Sequence, residues 1–120
     1  MNHPEDLEHR ALAKELTLRI GHPGKIGKHG VLWFSVDLGE SSPRSGARRK
    51  ARGCVAGIPD LYFADVSRGT YWIELKRRKG GKVSPAQSER MIALRDAGHQ
   101  VAVCHGAAEA INQLSAWGLL

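Results

Sequence analysis

The chain lacks a long apolar run. Its 120 residues contain no apolar stretch approaching the ~18 residues that a membrane-spanning helix requires, so no membrane partner is expected. The N-terminal residues 1–6 show no secretory character, which favours a cytoplasmic location. A hydrophobic content of 42% is ordinary for a folded protein and argues against disorder. The chain length suits one domain with its own core.

Cysteine is also scarce, and the histidines lack the spacing of zinc ligands. The two cysteines, Cys54 and Cys104, form no CxxC pair, which argues against a disulfide-stapled secreted domain. The six histidines show no i, i+4 ligand spacing, so structural zinc is not expected. Both thiols are therefore predicted to be free and buried.

Positive charge, in contrast, is concentrated in two short segments. The formal net charge is +6, and five of the nine residues in 44–52 and five of the seven in 76–82 are basic. These basic residues are Arg44, Arg48, Arg49, Lys50 and Arg52 in the first segment, and Lys76, Arg77, Arg78, Lys79 and Lys82 in the second. Because a nucleic-acid backbone is the natural polyanionic partner of such segments, we expect nucleic-acid binding.

Hydrophobic periodicity and capping signals predict a mixed fold. The expected helices cover 5–20, 85–97 and 107–117, and the expected strands cover 31–36, 61–66, 71–76 and 100–104. The first three strands can form an antiparallel meander. The helix between the third and fourth strands is then a right-handed crossover that makes the last strand parallel to its predecessor. The predicted class is α/β (mixed α+β), with an αβββαβα order and a four-stranded mixed sheet flanked by helices.

We interpret residues 1–120 as a single domain with three segments. Residues 1–22 hold the N-terminal helix, residues 37–56 form a basic loop, and residues 57–120 form the core that carries the motifs. The loop is rich in Gly, Ser, Pro and Arg, and a short helix around 47–52 fits within it. Loops of this length are usually functional or disordered.

Charged residues mark two neighbouring predicted strands. Asp60 follows Pro59 at the start of one strand, and Glu74 and Lys76 end the next. Residues two apart on a strand share a face, so Glu74 and Lys76 emerge side by side. Two carboxylates beside an ammonium group suit a hard cation such as Mg²⁺ and phosphodiester hydrolysis. The alternative is a hairpin with charged residues on its solvated side.

The turn between these strands decides whether the charges meet. A three-residue loop at 67–69 would pair Val66 with Thr70 and would set Asp60 opposite Lys76 on one face. A two-residue turn would send Asp60 to the other face, unless a bulge or bend at the preceding proline corrected it. The predicted site therefore requires an odd-length loop or such a bend.

The order of the motifs resembles the PD-(D/E)xK nuclease superfamily, which has a restriction-endonuclease-like core. Within it the chain resembles the VRR-NUC domain, particularly the short stand-alone versions of phages and bacteria. The matching motifs are Gly57-Ile58-Pro59-Asp60-Leu61, Trp72-Ile73-Glu74-Leu75-Lys76, Gly80-Gly81-Lys82, Ser84-Pro85-Ala86-Gln87 and Leu94-Arg95-Asp96-Ala97-Gly98-His99. The resemblance runs from about residue 50 to the end, whereas the first fifty residues match less well.

This resemblance implies a metal-dependent DNA endonuclease. Asp60 and Glu74 would hold one or two Mg²⁺ or Mn²⁺ ions, with the backbone carbonyl of Leu75 as a further ligand. Lys76 would orient the attacking water or stabilise transition-state charge, and Gln87 would contact water or phosphate, cap its helix, or do both. The competing interpretation is a non-catalytic nucleic-acid-binding module on the same fold, and a third is a basic phage structural or assembly protein.

The family also has a glutamate on its N-terminal helix that reaches the metal. Glu8 is our candidate because it faces away from the leucine stripe of that helix, and Glu5 and Glu15 are the alternatives.

The resemblance further implies contacts with DNA and with a second copy of the chain. The residues expected to lie against DNA are Arg44, Arg48, Arg49, Lys50, Arg52, Arg77, Arg78, Lys82 and Ser84. Without a separate recognition motif, a junction, flap or nick is a more natural target than a base sequence. A homodimer is expected, and Trp117, Leu119 and Leu120 either form its apolar contact or dock onto the chain's own core.

Overall fold

The computed structural model describes residues 4–36 and 43–120 of the chain. Its helices are α1 (Pro4–Arg19), α2 (Pro43–Ala51), α3 (Pro85–Asp96) and α4 (Ala107–Ala116). Its strands are β1 (Val31–Ser35), β2 (Leu61–Asp65), β3 (Gly69–Lys76) and β4 (Gln100–His105). A 3₁₀ turn, Lys28–Gly30, leads into β1.

The four described strands form one mixed sheet in the order β1-β2-β3-β4. Neighbours β1–β2 and β2–β3 are antiparallel, and β4 runs parallel to β3. The parallel pair needs a crossover connection, and α3 supplies it. The predicted mixed α+β class, with helices flanking a four-stranded sheet, is therefore confirmed.

The β2–β3 turn differs from the prediction by one residue. Asp65 pairs with Gly69, so the loop is 66–68 and not 67–69. Asp65 itself starts the turn, because its Oδ1 accepts hydrogen bonds of 2.8 Å from both the backbone N–H and the hydroxyl of Ser67. Gly69 then adopts φ 114°, a value that side chains disfavour. The parity of the register is unchanged, but continuing it puts Asp60 opposite Glu74 instead of Lys76.

One face of the sheet is sealed by α1 and α4. The buried residues that these helices and strands share are Leu12, Leu16, Trp33, Phe63, Ile73, Leu75, Cys104, Ala110 and Leu114. Leu119 is also fully buried in this core, and Trp117 and Leu120 pack against it. The apolar C-terminal residues therefore dock onto the chain's own core, which is one of the two uses expected for them.

The opposite face carries α3 alongside β4. The helix begins with the capping box predicted for it, since Gln87 N–H donates to Ser84 Oγ (3.1 Å) and Ser84 N–H donates to Gln87 Oε1 (2.9 Å). Met91 is the buried residue of α3, and Val101 of β4 is 8% exposed. The first turn of α3 is thereby fixed beside the end of β3.

The segment 37–56, expected as a basic loop, contains the nine-residue helix α2, and its residues 37–42 lie outside the described part of the chain. Cys104 is buried and free, but Cys54 is exposed, because the segment after α2 contributes little to the core. No helix within the described residues is both long and apolar enough to cross a bilayer.

Candidate active site

Asp60 lies at the start of β2, held in place by its backbone and its side chain. Its carbonyl accepts a 2.8 Å bond from Val36 N–H, and its Oδ2 accepts a 2.8 Å bond from Leu75 N–H on β3. The preceding Gly57 has φ 85° and lies so close to α3 that a Cβ would stand 2.3 Å from the carbonyl oxygen of Ala86. A glycine at this position therefore lets the motif reach both β3 and α3.

Glu74 and Lys76 end β3 as almost fully buried charged residues. They are 3% and 6% exposed, and Lys76 Nζ lies 3.2 Å from Glu74 Oε2. Burial of a charge is costly unless it is paired, so this contact offsets part of the cost of burying the two groups. Residues 74 and 76 lie on the same face, as strand alternation requires.

Gln87 connects both charged groups to α3. Its Oε1 accepts hydrogen bonds from Lys76 Nζ (3.0 Å) and from Ser84 N–H (2.9 Å), and its Nε2 donates to Glu74 Oε2 (3.0 Å). The backbone N–H of Ser84 can only donate, which identifies the amide oxygen and hence the orientation of the whole group. Gln87 thus caps the helix and positions the two β3 side chains at once.

The carboxylates of this cluster repel each other. Burial, and secondarily the negative charge of Asp60, raise the pKa of Glu74 from 4.5 to about 7, against the opposing effect of Lys76. A cation placed between the two carboxylates would relieve that repulsion and would favour the ionised form of Glu74.

These groups line one pocket of about 210 Å³. Its lining consists of Glu5, Asp6, His9, Asp60, Glu74, Leu75, Lys76 and Gln87. The structure therefore brings together the four side chains proposed for catalysis. It adds Asp6 and His9, which the sequence reasoning missed. His9 lies four residues after Glu5 and three after Asp6 on α1, and these spacings are the signal that could have linked it to them on one helix side.

The His9 ring is anchored at the rim of this pocket. Its Nε2 lies 2.8 Å from the hydroxyl oxygen of Ser35 at the end of β1. This contact attaches the N-terminal half of α1 to the end of β1.

Glu8, the glutamate preferred from the sequence as a metal ligand, does not line this pocket. Its Oε1 accepts a 2.8 Å bond from Ala107 N–H at the start of α4, and its Oε2 lies 2.9 Å from Arg78 Nε. Glu15 is likewise engaged elsewhere, 3.0 Å from Arg19. Of the three glutamates considered, Glu5 is the one at the pocket, 3.9 Å from Lys76 Nζ.

The donor set fits a hard cation that keeps several waters. No ready-made group of three His, Cys, Asp or Glu ligands occurs among residues 4–36 and 43–120. Mg²⁺ needs fewer protein ligands than that, since one or two carboxylates with waters suffice. The Leu75 peptide points to the Asp60 side, because the neighbouring Lys76 carbonyl accepts the 2.8 Å bond from Gly106 N–H on the β4 side. Two carboxylates thus converge, and the Leu75 carbonyl lies on their side of β3.

Two of the basic residues expected to contact DNA lie beside this pocket. Arg77 and Lys82 line an adjoining cavity of about 240 Å³ together with Glu5 and Lys76. Arg78 is exposed but paired with the glutamate on α1 described above. Of the remaining candidates, Arg48, Lys50, Arg52 and Ser84 are exposed, Arg49 is half-buried, and the side chain of Arg44 lies outside the described residues.

A comparison with protein families identifies the fold. The sequence model of the VRR-NUC domain matches residues 11–108, which include Asp60, Glu74, Lys76 and Gln87. This chain belongs to the VRR-NUC domain family. VRR-NUC domains are a nuclease family, so the chain has a nuclease-type fold.

Solved structures agree with this assignment at the level of the fold. One described as a VRR_NUC domain protein superposes with a TM-score of 0.70 at 22% identity, covering 98% of this chain and 89% of the other. Another, described as a VRR_NUC domain, gives a TM-score of 0.60 at 20% identity, with coverages of 96% and 97%. None of the curated proteins compared with this chain matches it.

Proposed function

We propose that this VRR-NUC chain is a single-domain DNA endonuclease. It hydrolyses phosphodiester bonds within the DNA chain and depends on a divalent metal. The observation that carries the proposal is the convergence of two carboxylates and a buried lysine at one pocket, which Leu75 also lines. The site is too polar and too small for a large organic cofactor, whereas its ligand chemistry suits Mg²⁺ or Mn²⁺.

Asp60, Glu74 and the Leu75 carbonyl would hold one or two such ions. A bound ion supplies Lewis acidity and lowers the pKa of a coordinated water. Lys76 donates hydrogen bonds toward that water or toward a non-bridging phosphate oxygen. Gln87 fixes the lysine in place through its 3.0 Å contact, so that the ammonium group points into the pocket and not into solvent.

The DNA backbone would approach over the basic edge of the pocket. Arg77 and Lys82 lie beside it, and the exposed residues of α2 add further positive charge. Such groups contact phosphates and carry no base sequence directly, so we propose that a junction, flap or nick is recognised by its shape. Dimerisation is part of the same proposal.

The experiment is a cleavage assay on supercoiled plasmid and on branched oligonucleotides, with Mg²⁺, with Mn²⁺ and with a chelator. We expect cutting that requires metal and that is lost in Asp60→Asn. The matched control is Asp96→Asn, which makes the same chemical change at an exposed residue at the C-terminal end of α3. Cutting by Asp60→Asn at the wild-type rate would contradict the site assignment.

The competing interpretation, a binding module without catalysis, is separated by the same assay. Such a module would retain DNA binding in a gel-shift experiment but would cut no substrate with either metal. The carboxylate pair of buried Glu74 and half-buried Asp60 argues against it, since a module that only binds DNA gains nothing from holding two like charges together.

A further inference from the structure

A row of aromatic rings crosses the sheet next to the pocket. Phe34 of β1 pairs with Tyr62 of β2, and Tyr62 pairs with Trp72 of β3. The ring centroids of each neighbouring pair are 4.9 Å apart. Strand alternation places all three rings on the face that carries Asp60 and Glu74, opposite the sealed core.

Solvent reaches this row, in contrast to the aromatic residues of the core. Phe34 is 37% exposed, whereas Trp33 and Phe63 on the other face are 2% and 0% exposed. Tyr62 and Trp72 are half-buried. Contacts between rings on neighbouring strands form equally well when the rings are buried. They therefore do not explain why these rings are exposed to solvent.

The row is held rigidly at its inner end. Trp72 Nε1 donates to His99 Nδ1 at 3.3 Å, and His99 Nδ1 is also hydrogen-bonded to the Thr70 hydroxyl. The polar edge of the indole is thus satisfied within the protein, which leaves its ring available for stacking.

The row is continuous with the candidate active site. Tyr62 lies two residues from Asp60, and Trp72 lies two residues from Glu74, which corresponds to roughly 7 Å along each strand. Positive charge lies beside the Trp72 end of the row, since Arg95 of α3 donates a 2.9 Å bond to the carbonyl of Val101, the β4 partner of Trp72. Aromatic rings beside positive charge are the combination that binds single-stranded nucleic acid.

We propose that Phe34, Tyr62 and Trp72 form a stacking platform for unpaired bases, so that the substrate is DNA with a single-stranded segment next to the cleaved bond. The inference rests on the proposed nuclease function and narrows its substrate class. Stacking on one aromatic side chain strengthens binding by about 5- to 150-fold per base, largely without regard to sequence.

A second copy of the chain is a poorer occupant of this surface. An aromatic side chain has about 150–250 Å² of surface, and about a third or less of each ring is open, so the row offers roughly 200 Å². A stable protein interface needs about 800 Å² from each partner. A few stacked bases match the area that is exposed.

The experiment measures binding in the presence of chelator, so that no cleavage occurs. Tyr62→Leu and Phe34→Leu keep apolar bulk on the sheet but remove the ring. Two variants serve as controls: Tyr62→Phe keeps the ring, and Ile92→Ala removes an exposed apolar side chain outside the row. We expect each leucine variant to bind a single-stranded oligonucleotide about tenfold more weakly than wild type, and to bind a blunt duplex within about twofold of wild type. Tyr62→Phe and Ile92→Ala should match wild type on both ligands.

Three results would overturn the inference. One is an equal loss on single-stranded and duplex DNA, which would indicate a general effect on the surface. Another is wild-type protein that binds DNA equally tightly with and without a single-stranded segment. The last is a change in the concentration dependence of the molecular mass, measured by sedimentation, without a change in binding, which would assign the row to a second copy.

Failure of the nuclease proposal gives a different pattern. In that case the wild-type chain would cut no DNA with either metal, whatever the row variants do. If the wild type cuts and the leucine variants keep full single-strand binding, only the stacking platform is wrong.

Discussion

Glu74 and Glu8 are both shielded glutamates with a basic partner, yet their surroundings differ. Glu8 receives favourable contacts from the N-terminus of α4 and from Arg78. Glu74 has Lys76 and the Gln87 amide beside it but also faces Asp60, and its pKa is raised to about 7 by burial and by that like charge. One glutamate stabilises the fold, whereas the other is held against an electrostatic cost.

The difference shows how a candidate site can be separated from a structural ion pair. Sequence pattern alone made both glutamates attractive as metal ligands. A pair of like charges that the fold keeps together points to function, because stability alone would favour its removal. A carboxylate whose contacts are all favourable needs no such explanation.

The largest expected effect breaks this comparison at the level of cleavage. Glu74→Gln should lower kcat/KM by about 10³-fold, because a metal ligand contributes several kcal/mol of charge stabilisation. Glu8→Gln keeps a hydrogen-bond acceptor away from the pocket and should stay close to the wild-type rate. The measurement is kcat/KM on one branched substrate with saturating Mg²⁺. Equal losses in both variants would place Glu8 in the catalytic machinery.

A second effect concerns pH in metal-free protein. The pKa of Glu74 is higher in the folded chain, about 7, than its ordinary value of 4.5. The folded state therefore holds the proton more tightly. This contribution to the free energy of unfolding is complete below pH 4.5 and is lost as the pH rises through about 7.

The loss should amount to about 2–3 kcal/mol between about pH 5 and pH 8, measured by urea unfolding with a chelator present. Because Glu74→Gln cannot titrate, its unfolding free energy should vary less over the same range. Added Mg²⁺ should reduce the wild-type loss. Identical pH profiles for the wild type and the variant would show that Glu74 is already ionised at neutral pH.

A third prediction separates the two roles of Gln87. Gln87→Ala removes the contacts to Lys76 and Glu74 and should lower kcat by about 10- to 100-fold, as the loss of an orienting partner does at metal sites. Ser84→Ala removes the side-chain cap of α3 but leaves those contacts in place. It should cost about 1 kcal/mol in unfolding free energy and little activity. If both variants lose the same activity, Gln87 acts only as a cap.

Much of the candidate site could be predicted because its rules are local. Alternation along β3 places residues 74 and 76 together, and the capping box fixes Gln87 at the start of α3. The parity of the β2–β3 register also followed from the need for an odd loop. Its exact position did not, since the Asp65 side chain starts the turn one residue early.

What the sequence could not decide depends on distant contacts. The choice between Glu5 and Glu8 is set by how α1 docks, and the partner that engages Glu8 at Ala107 is 99 residues away along the chain. Helix α2 has almost no apolar residues, so hydrophobic periodicity gave little warning of its extent. The exposure of Cys54 follows from the same segment.

The smallest expected effect sharpens the structural half of the comparison. Glu8→Ala removes the acceptor at the N-terminus of α4 and the partner of Arg78, and should lower the unfolding free energy by about 1–2 kcal/mol. Glu8→Gln keeps the acceptor and should cost about half as much. Arg78→Gln should cost less than about 0.5 kcal/mol, because the arginine side chain is 78% exposed and exposed ion pairs contribute little. These values come from urea unfolding at neutral pH. A loss in Arg78→Gln as large as that in Glu8→Ala would mean that Glu8 stabilises the fold through the ion pair and not through the helix cap.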